Sequence, residues 1–367
     1  MNPITVIFFR SGNSDLKLLK AIKKADSQQV EKHLKSESVN INFCDRESYS
    51  LLMWAIFKND IQIVKAILSK NPDINYSNLH GNTALMLSVR FDNPDIVKAL
   101  ILAGAEVNSK NNEGNTALIF ASMRDYPENI ELLLNTYVDI DAKNNAGYSA
   151  LHTSVDKGCS SVAELLIQKG ADTNLKDNLG NTALFYAASK GNTYLVNLLI
   201  NSGAAVNELN KDGISPLRDA VFMGSVEITK LLLKAGADPN RTENGFPLLL
   251  LAAGKGYSEI VELLLESGAD INKTSAQGNS ALSVAASSNQ LDIVRLLLKN
   301  GANVNHRTKD NATALIFACR KGYANIVKEL INANADPSIK SINGHTALDE
   351  AIYNGFTDII EILKNGR

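Results

Sequence analysis

Apolar residues recur along the chain in two alternating helical patterns, each followed by a short polar stretch. Segments such as 260–265 carry apolar side chains at helical spacing, and they alternate with shorter apolar segments that follow a Thr or Ser. A hydroxyl at that place can cap free helix N–H groups, as predicted for Thr83 and Thr116. Glycines such as Gly158 and Gly104 then end the helices, because glycine readily adopts the left-handed conformation. The pattern predicts successive helix–turn–helix pairs.

The helix pairs repeat with a regular period. Leucines anchor the copies at positions 52, 85, 118, 151, 184, 217, 249, 282, 315 and 348, a step of 33 residues except for one step of 32. A degenerate first copy starts near Leu16, so we predict about eleven repeats over residues 16–367, after an extension over residues 1–15. One helix pair cannot bury its apolar face alone, so the copies must stack, with the first and last as caps. The predicted fold is an all-α-rich solenoid of helix pairs joined by β-hairpins or turns.

Two motifs identify the type of repeat. Residues 181–188 read Asn-Thr-Ala-Leu-Phe-Tyr-Ala-Ala, and residues 268–272 read Gly-Ala-Asp-Ile-Asn. They resemble the ankyrin repeat, whose signature is Gly-x-Thr-Pro-Leu-His-x-Ala-Ala and then Gly-Ala-Asp-Val-Asn. Pro216 and His152 alone keep the signature Pro and His, and Ala usually replaces the Pro. The resemblance implies a curved stack whose hairpins and first helices form a concave face, and a role in binding proteins.

Two irregularities interrupt the period. The 32-residue copy has Pro247 where other copies have a capping Thr or Ser, so that helix should lack its cap. We therefore expect the junction at 240–250 to bend or fray. Tyr137 stands where most copies have the helix-ending Gly, and a bulky residue is strained at positive φ. Asn71 and Asn334, at the equivalent place, tolerate that conformation.

Composition and charge narrow the class of protein. The chain has 367 residues, 45% of them hydrophobic, which is ample for a buried core and excludes a disordered chain. Its 37 basic and 39 acidic residues give a net charge of −2, which argues against a polybasic nucleic-acid binder. The three cysteines are too few for a disulfide framework and fit a reducing compartment. The apolar run Ile4–Phe9 is shorter than a signal sequence needs, and no run suggests membrane insertion, so we expect a cytoplasmic protein.

Candidate chemistry is sparse. His152 and Cys159 are close enough in sequence to suggest a Cys–His nucleophile, but His152 occupies the repeat's structural His position. We interpret Cys319 as a core residue and Cys44 as part of a turn. No phosphate-binding loop, dinucleotide fingerprint or zinc-protease motif occurs in the sequence. We therefore expect no enzymatic activity, no catalytic or metal-binding residues and no cofactor.

The positions that vary between copies are the candidates for binding. The last two residues of each first helix should face the concave groove of an ankyrin-like stack, joined by residues at the hairpin tips. Several are aromatic, Met or Arg, the types enriched in interface cores. The candidate partner-binding residues are Tyr49, Phe57, Lys58, Arg90, Phe91, Met123, Arg124, Tyr148, Lys157, Lys190, Phe222, Met223, Phe246, Lys255, Arg320 and Lys321.

These residues favour a non-catalytic protein-interaction scaffold. We predict a partner protein whose acidic segment, with apolar anchors, lies in the concave groove. The alternative is a phosphate-bearing ligand or nucleic acid bound by the basic stripe of Arg124, Lys157 and Lys190, although the net charge argues against it. Frequent Asn, Ile and Lys suggest an AT-rich genome, and ankyrin-like proteins of intracellular bacteria are often delivered into host cells. A bacterial effector acting on host proteins is therefore a further hypothesis.

Overall fold

The computed structural model describes residues 13–243 and 245–365, and it divides into two compact units, Met1–Asn178 and Leu179–Arg367. The helices of the first unit are α1 (Asn13–Lys23), α2 (Ser27–Leu34), α3 (Leu51–Phe57), α4 (Ile61–Leu68), α5 (Ala84–Ser88), α6 (Pro94–Leu102), α7 (Ala117–Ala121), α8 (Pro127–Leu134), α9 (Ala150–Lys157) and α10 (Ser160–Gln168). Those of the second unit are α11 (Ala183–Ser189), α12 (Thr193–Asn201), α13 (Pro216–Met223), α14 (Val226–Lys234), α15 (Leu248–Lys255), α16 (Ser258–Glu266), α17 (Ala281–Ser287), α18 (Leu291–Lys299), α19 (Ala314–Lys321), α20 (Ala324–Asn332), α21 (Ala347–Tyr353) and α22 (Thr357–Asn365).

Each unit is a stack of helix pairs, which confirms the predicted all-α repeat solenoid. First helices pack against first helices of the next repeat, as α3 does on α5 and α11 on α13. The predicted hairpins are mostly turns. In the described residues, only β1 (Thr242–Glu243) and β2 (Phe246–Pro247) form paired strands, and they are antiparallel. The run Ile4–Phe9 lies outside the described residues, and the boundary of the extension at residue 15 stays a prediction.

The anchoring leucines form the core of each unit. Leu52, Leu85 and Leu118 of the first unit and Leu217 of the second are at most 2% exposed. Burying a leucine side chain contributes about 2 kcal/mol, so the repeated leucines supply much of the driving force for stacking. Cys319, predicted to be a core residue, is fully buried.

Hydroxyl side chains begin the first helices as the sequence predicts. Thr83 Oγ1 accepts from the backbone N–H of Met86 at 3.4 Å, and Thr116 Oγ1 accepts from Ile119 at 3.3 Å. Pro247 is the expected exception, because α15 has no side-chain cap. The caps satisfy donors that the helix itself leaves open, so each contributes about 1 kcal/mol.

A ladder of exposed asparagines joins the turns of consecutive repeats in the first unit. Asn112 Nδ2 donates to the Leu79 carbonyl at 2.9 Å, Asn145 Nδ2 to the Asn112 carbonyl at 3.0 Å, and Asn178 Nδ2 to the Asn145 carbonyl at 2.8 Å. The turns approach so closely that a Cβ on Gly114 would lie 2.8 Å from the backbone nitrogen of Asn145. Glycine is required there both for its φ of +77° and for space. We call this series the asparagine ladder.

The expected strain at Tyr137 is wrong. Gly104 and Gly170 have φ of 91° at the equivalent place, and Asn71 and Asn334 also have positive φ, but Tyr137 does not. Its carbonyl accepts from Asn108 Nδ2 at 2.8 Å, as the equivalent Gly236 carbonyl accepts from Asn207 Nδ2, and its side chain is 99% exposed. The loop avoids the cost of positive φ by taking another path after α8.

Candidate partner-binding face

Three positions of each repeat lie on one face of the helix stack. Tyr49 precedes the N-cap of α3, Trp54 lies in its middle and Phe57 ends it. Their ring centroids are 5.3 to 6.0 Å apart, with edge-to-face geometry in all three pairs. These three positions and the one that follows Phe57, taken through the repeats of a unit, define what we call the first-helix face of that unit, and together the two faces include the sixteen candidate residues.

The first unit presents exposed cations on this face. Lys58, Arg90 and Arg124 are exposed, and no carboxylate of the described residues pairs with them. Lys157 differs, because its ammonium lies 3.0 Å from Asp156 Oδ2. Three consecutive repeats therefore offer cationic groups that are free to meet negative charge from outside.

Apolar side chains lie beside these cations. Phe57, Phe91 and Met123 are half-buried, and so is Tyr148, whose ring centroid is 5.9 Å from that of His152. Half-burial fixes a side chain while leaving apolar surface for a partner to cover.

The loop that carries Phe91 is held by a buried amide. Asn129 of α8 is fully buried, in the repeat position that Ile63 and Ile96 occupy elsewhere in the unit. Its Nδ2 donates to the Phe91 carbonyl at 2.8 Å, while its Oδ1 has no hydrogen-bond partner. Burying an unsatisfied amide oxygen costs free energy. The amide thus fixes the backbone of Phe91 at the expense of core packing.

The first-helix face of the second unit is mixed in charge. Phe222 is 40% exposed, and its ring centroid lies 5.0 Å from the Arg218 guanidinium and 4.3 Å from Lys255 Nζ. Met223 beside it is 60% exposed. This pair therefore presents an aromatic ring that is already flanked by two cations of its own chain.

Carboxylates occupy the space next to Arg218. Asp219 Oδ1 accepts from its guanidinium at 3.2 Å, and Glu243 Oε2 lies 3.9 Å from its Nε. Burial raises the pKa of both carboxyl groups, although Arg218 lowers them, and for Glu243 the hydrogen bond from Ser215 also opposes the rise. Glu243 Oε2 is buried without a hydrogen-bond partner. Arg218 is thus neutralised within its own unit.

The remaining candidates of the second unit differ in exposure and in ion pairing. Arg320 donates to Glu350 Oε1 at 2.8 Å, so its charge is already paired. Lys190 and Lys321 are exposed, and Phe246 at the tip of β2 is 37% exposed. The sequence alone treats Arg320 as free for a partner, and its ion pair qualifies that interpretation.

The sequence reasoning missed several residues of the face. Trp54, Asp219 and Glu350 share one repeat position in the middle of the first helix, and its change from Trp to Asp to Glu is a signal that could have been found. Lys23 and Glu243 have no such signal, because they approach the face from another repeat. Lys23 Nζ lies 3.8 Å from the centroid of Trp54.

The side chains that the sequence offers for nucleophilic chemistry have structural surroundings. His152 Nδ1 lies 2.9 Å from Ser149 Oγ in a capping box. Burial, followed by the charge of Asp125, raises the pKa of the Cys159 thiol, and burial raises that of Cys319 to about 12, so both thiols stay protonated and weakly nucleophilic at neutral pH. No group of three or more His, Cys, Asp and Glu side chains in residues 13–243 and 245–365 is placed to hold a metal ion.

Comparison with known families agrees with this architecture. Family models described as ankyrin repeats (3 copies) match residues 18–111, 91–177, 169–243 and 241–308, and one described as ankyrin repeats (many copies) matches residues 297–351. No curated protein matched the chain. In the part of the chain that the structure describes, no helix has the length and apolar character needed to cross a membrane. The matched segments cover most of the sequence, and the chain therefore belongs to the ankyrin repeat family.

Proposed function

We propose that the protein is a non-catalytic scaffold that binds an acidic segment of a partner protein along the first-helix face of its first unit. Ankyrin repeats generally mediate protein–protein interactions, which supports the class of function. The carrying observation is that Lys58, Arg90 and Arg124 have no ion pair among the described residues, although each is next to half-buried apolar side chains.

Charge and apolar surface together define the partner. An acidic side chain can approach these cations without displacing an existing carboxylate, and an apolar anchor can cover Phe57, Phe91 or Met123. Repeats stack about 10 Å apart, so an extended segment of about ten residues would cross three of them. The concave groove predicted for an ankyrin-like stack would provide the roughly 800 Å² per partner of a standard interface.

The test compares two triple charge reversals. Crosslinking in the native cell, followed by mass spectrometry, identifies the partner segment, which is then made as a synthetic peptide. Lys58→Glu/Arg90→Glu/Arg124→Glu should weaken peptide binding at least about tenfold and flatten its salt dependence. The control is Lys65→Glu/Lys98→Glu/Lys169→Glu, which makes the same change of charge at exposed positions in or at the end of second helices. Equal affinity of the two variants would refute this placement.

Salt dependence and two alanine substitutions distinguish a protein partner from the alternative ligand class. A phosphate-bearing ligand or nucleic acid would lose affinity steeply with salt and would be indifferent to Phe57→Ala and Met123→Ala. An acidic protein segment with apolar anchors would be weakened by both substitutions. The proposed cytoplasmic location and the role as a bacterial effector in a host cell rest on composition and on the repeat family, and fractionation of the native and host cells tests them.

A further inference from the structure

One lysine of the chain already occupies a small cation site on the first-helix face. Lys23, the last residue of α1, places Nζ 3.8 Å from the centroid of the Trp54 ring. Asp45 Oδ2 accepts a hydrogen bond from Trp54 Nε1 at 2.9 Å and lies 3.6 Å from the same ammonium. An indole face and a carboxylate therefore meet one ammonium group, which is the chemistry that recognises an alkylammonium ion.

The receptor half of this site is held firmly. Tyr49 and Phe57 pack edge-to-face against Trp54, with ring centroids 6.0 and 5.7 Å from it. Asp45 Oδ1 accepts from the backbone N–H groups of Glu47 and Tyr49 at 3.1 and 3.0 Å. The ring and the carboxylate are thus oriented by contacts that do not involve Lys23.

The lysine half is held loosely. The side chain of Lys23 is 39% exposed, and its ammonium is farther from Asp45 than a hydrogen bond allows. Asp45 is only 14% exposed, but water reaches the lysine ammonium and screens both its ion pair and its cation–π contact. A ligand ammonium that reached hydrogen-bond distance of Asp45 would compete well with Lys23.

We propose that Trp54 and Asp45 form a subsite for a lysine side chain of the partner, and that Lys23 occupies this subsite in the free protein. The inference deepens the proposed function and rests on it, because it assigns one basic side chain to an otherwise acidic partner segment. Phe57 lies beside the subsite and covers the aliphatic part of that segment. Lys23 acts as an internal competitor that the partner must displace.

The test uses the single tryptophan of the sequence as its reporter. Trp54 fluorescence is recorded while Nα-acetyl-lysine amide is added, with the Nε-acetylated compound as the uncharged comparison. Lys23→Met keeps an aliphatic side chain but empties the subsite, and Lys20→Met is the matched control, because Lys20 lies exposed in the same helix turn. Circular dichroism checks that the variants are folded. The NMR resonance of the Trp54 indole N–H gives a second readout of ligand binding.

The expected result is a saturable fluorescence change in Lys23→Met, with Kd at least about fivefold below that of the native protein and of Lys20→Met. The Nε-acetylated compound should give no such change, and Lys23→Met/Asp45→Asn should lose most of the affinity. If Lys23→Met shows no saturable change, or if the Asp45→Asn change has no effect, the subsite proposal is overturned even where the partner peptide still binds. Equal peptide affinity of the two triple charge reversals would instead refute the proposed function.

Discussion

Arg320 of α19 donates a hydrogen bond to Glu350 of α21 at 2.8 Å, which links the first helices of two consecutive repeats. Glu350 is only 6% exposed. The hydrogen bond from Arg320 holds the pKa of Glu350 below its usual range, and the same bond raises the pKa of Arg320. The pair therefore stabilises the second unit when Glu350 is ionised.

The first prediction concerns the stability of this pair against pH. Because the folded-state pKa of Glu350 is lowered, its contribution is present above the unfolded value of about 4.3 and is lost as the pH falls through the lower folded value. Glu350→Gln should reduce the free energy of unfolding by about 1 kcal/mol at pH 7, since Arg320 is partly exposed and screened by solvent. The difference between native and variant protein in urea unfolding should shrink between pH 7 and about pH 3. A difference that is the same at both pH values would contradict the ion pair.

The second prediction concerns Glu243, whose pKa is shifted in the opposite direction to that of Glu350. Burial raises the pKa of Glu243, so the charged form is penalised at neutral pH and protonation stabilises the folded state as the pH falls through the raised value. Glu243→Gln keeps an acceptor for the Ser215 N–H, which Glu243 Oε1 accepts at 2.9 Å. The substitution should raise the free energy of unfolding at pH 7 by about 1 kcal/mol. It should also abolish the gain that the native protein shows as the pH falls from 7 towards the unfolded value of about 4.3, and destabilisation at pH 7 would show that the Arg218 ion pair outweighs burial.

The third prediction separates backbone strain from crowding between repeats. Gly114 and Gly213 occupy the same repeat position with φ of 77° and 72°, so alanine is strained by about 1 kcal/mol at either. A Cβ at Gly213 meets nothing within 4 Å, whereas one at Gly114 runs into Asn145. Gly114→Ala should therefore cost about 2 kcal/mol more than Gly213→Ala in urea unfolding. Equal costs would mean that Asn145 and its turn can shift to accommodate the added Cβ at little energetic cost.

The fourth prediction concerns the missing cap of α15. The amides of Arg218 and Ser283 donate to capping hydroxyls at 3.1 and 3.2 Å, but the equivalent Leu250 amide has no such acceptor, because the N-cap residue is Pro247. Its hydrogen exchange should be about fivefold faster than theirs, as the loss of about 1 kcal/mol implies. Pro247→Ser should slow it. Exchange no faster than that of Arg218 and Ser283 would remove the support for fraying at 240–250.

Much of the fold could be predicted from the sequence because the same core and capping residues recur in each copy. Leu85 and Leu118 are buried, and Thr83 and Thr116 cap their helices, as the period predicts. Tyr137 shows where this reasoning fails. It treats each copy as adopting the common backbone, but a loop can change its path when the common conformation would be strained.

The candidate face was harder to predict. Residue type and repeat position identify Phe222 and Arg320 as variable. They do not reveal which charged side chains are already paired with a carboxylate of the same chain. Arg218 pairs with the neighbouring Asp219 and with Glu243 of the following repeat, and Arg320 pairs with Glu350 of the following repeat. Such pairs depend on how closely side chains of neighbouring copies approach, and only the folded stack fixes that distance.

The asparagine ladder has a consequence for how the gene can change length. Asn112, Asn145 and Asn178 each donate to a carbonyl 33 residues earlier in the chain. If one 33-residue stretch in this region is lost or duplicated, an asparagine again lies 33 residues after a turn carbonyl. The two repeats that become neighbours at the new junction can therefore form the same hydrogen bond at once. A stretch of another length leaves that junction unbonded. Unequal recombination between copies can therefore lengthen or shorten the first unit by whole repeats without a new contact having to evolve.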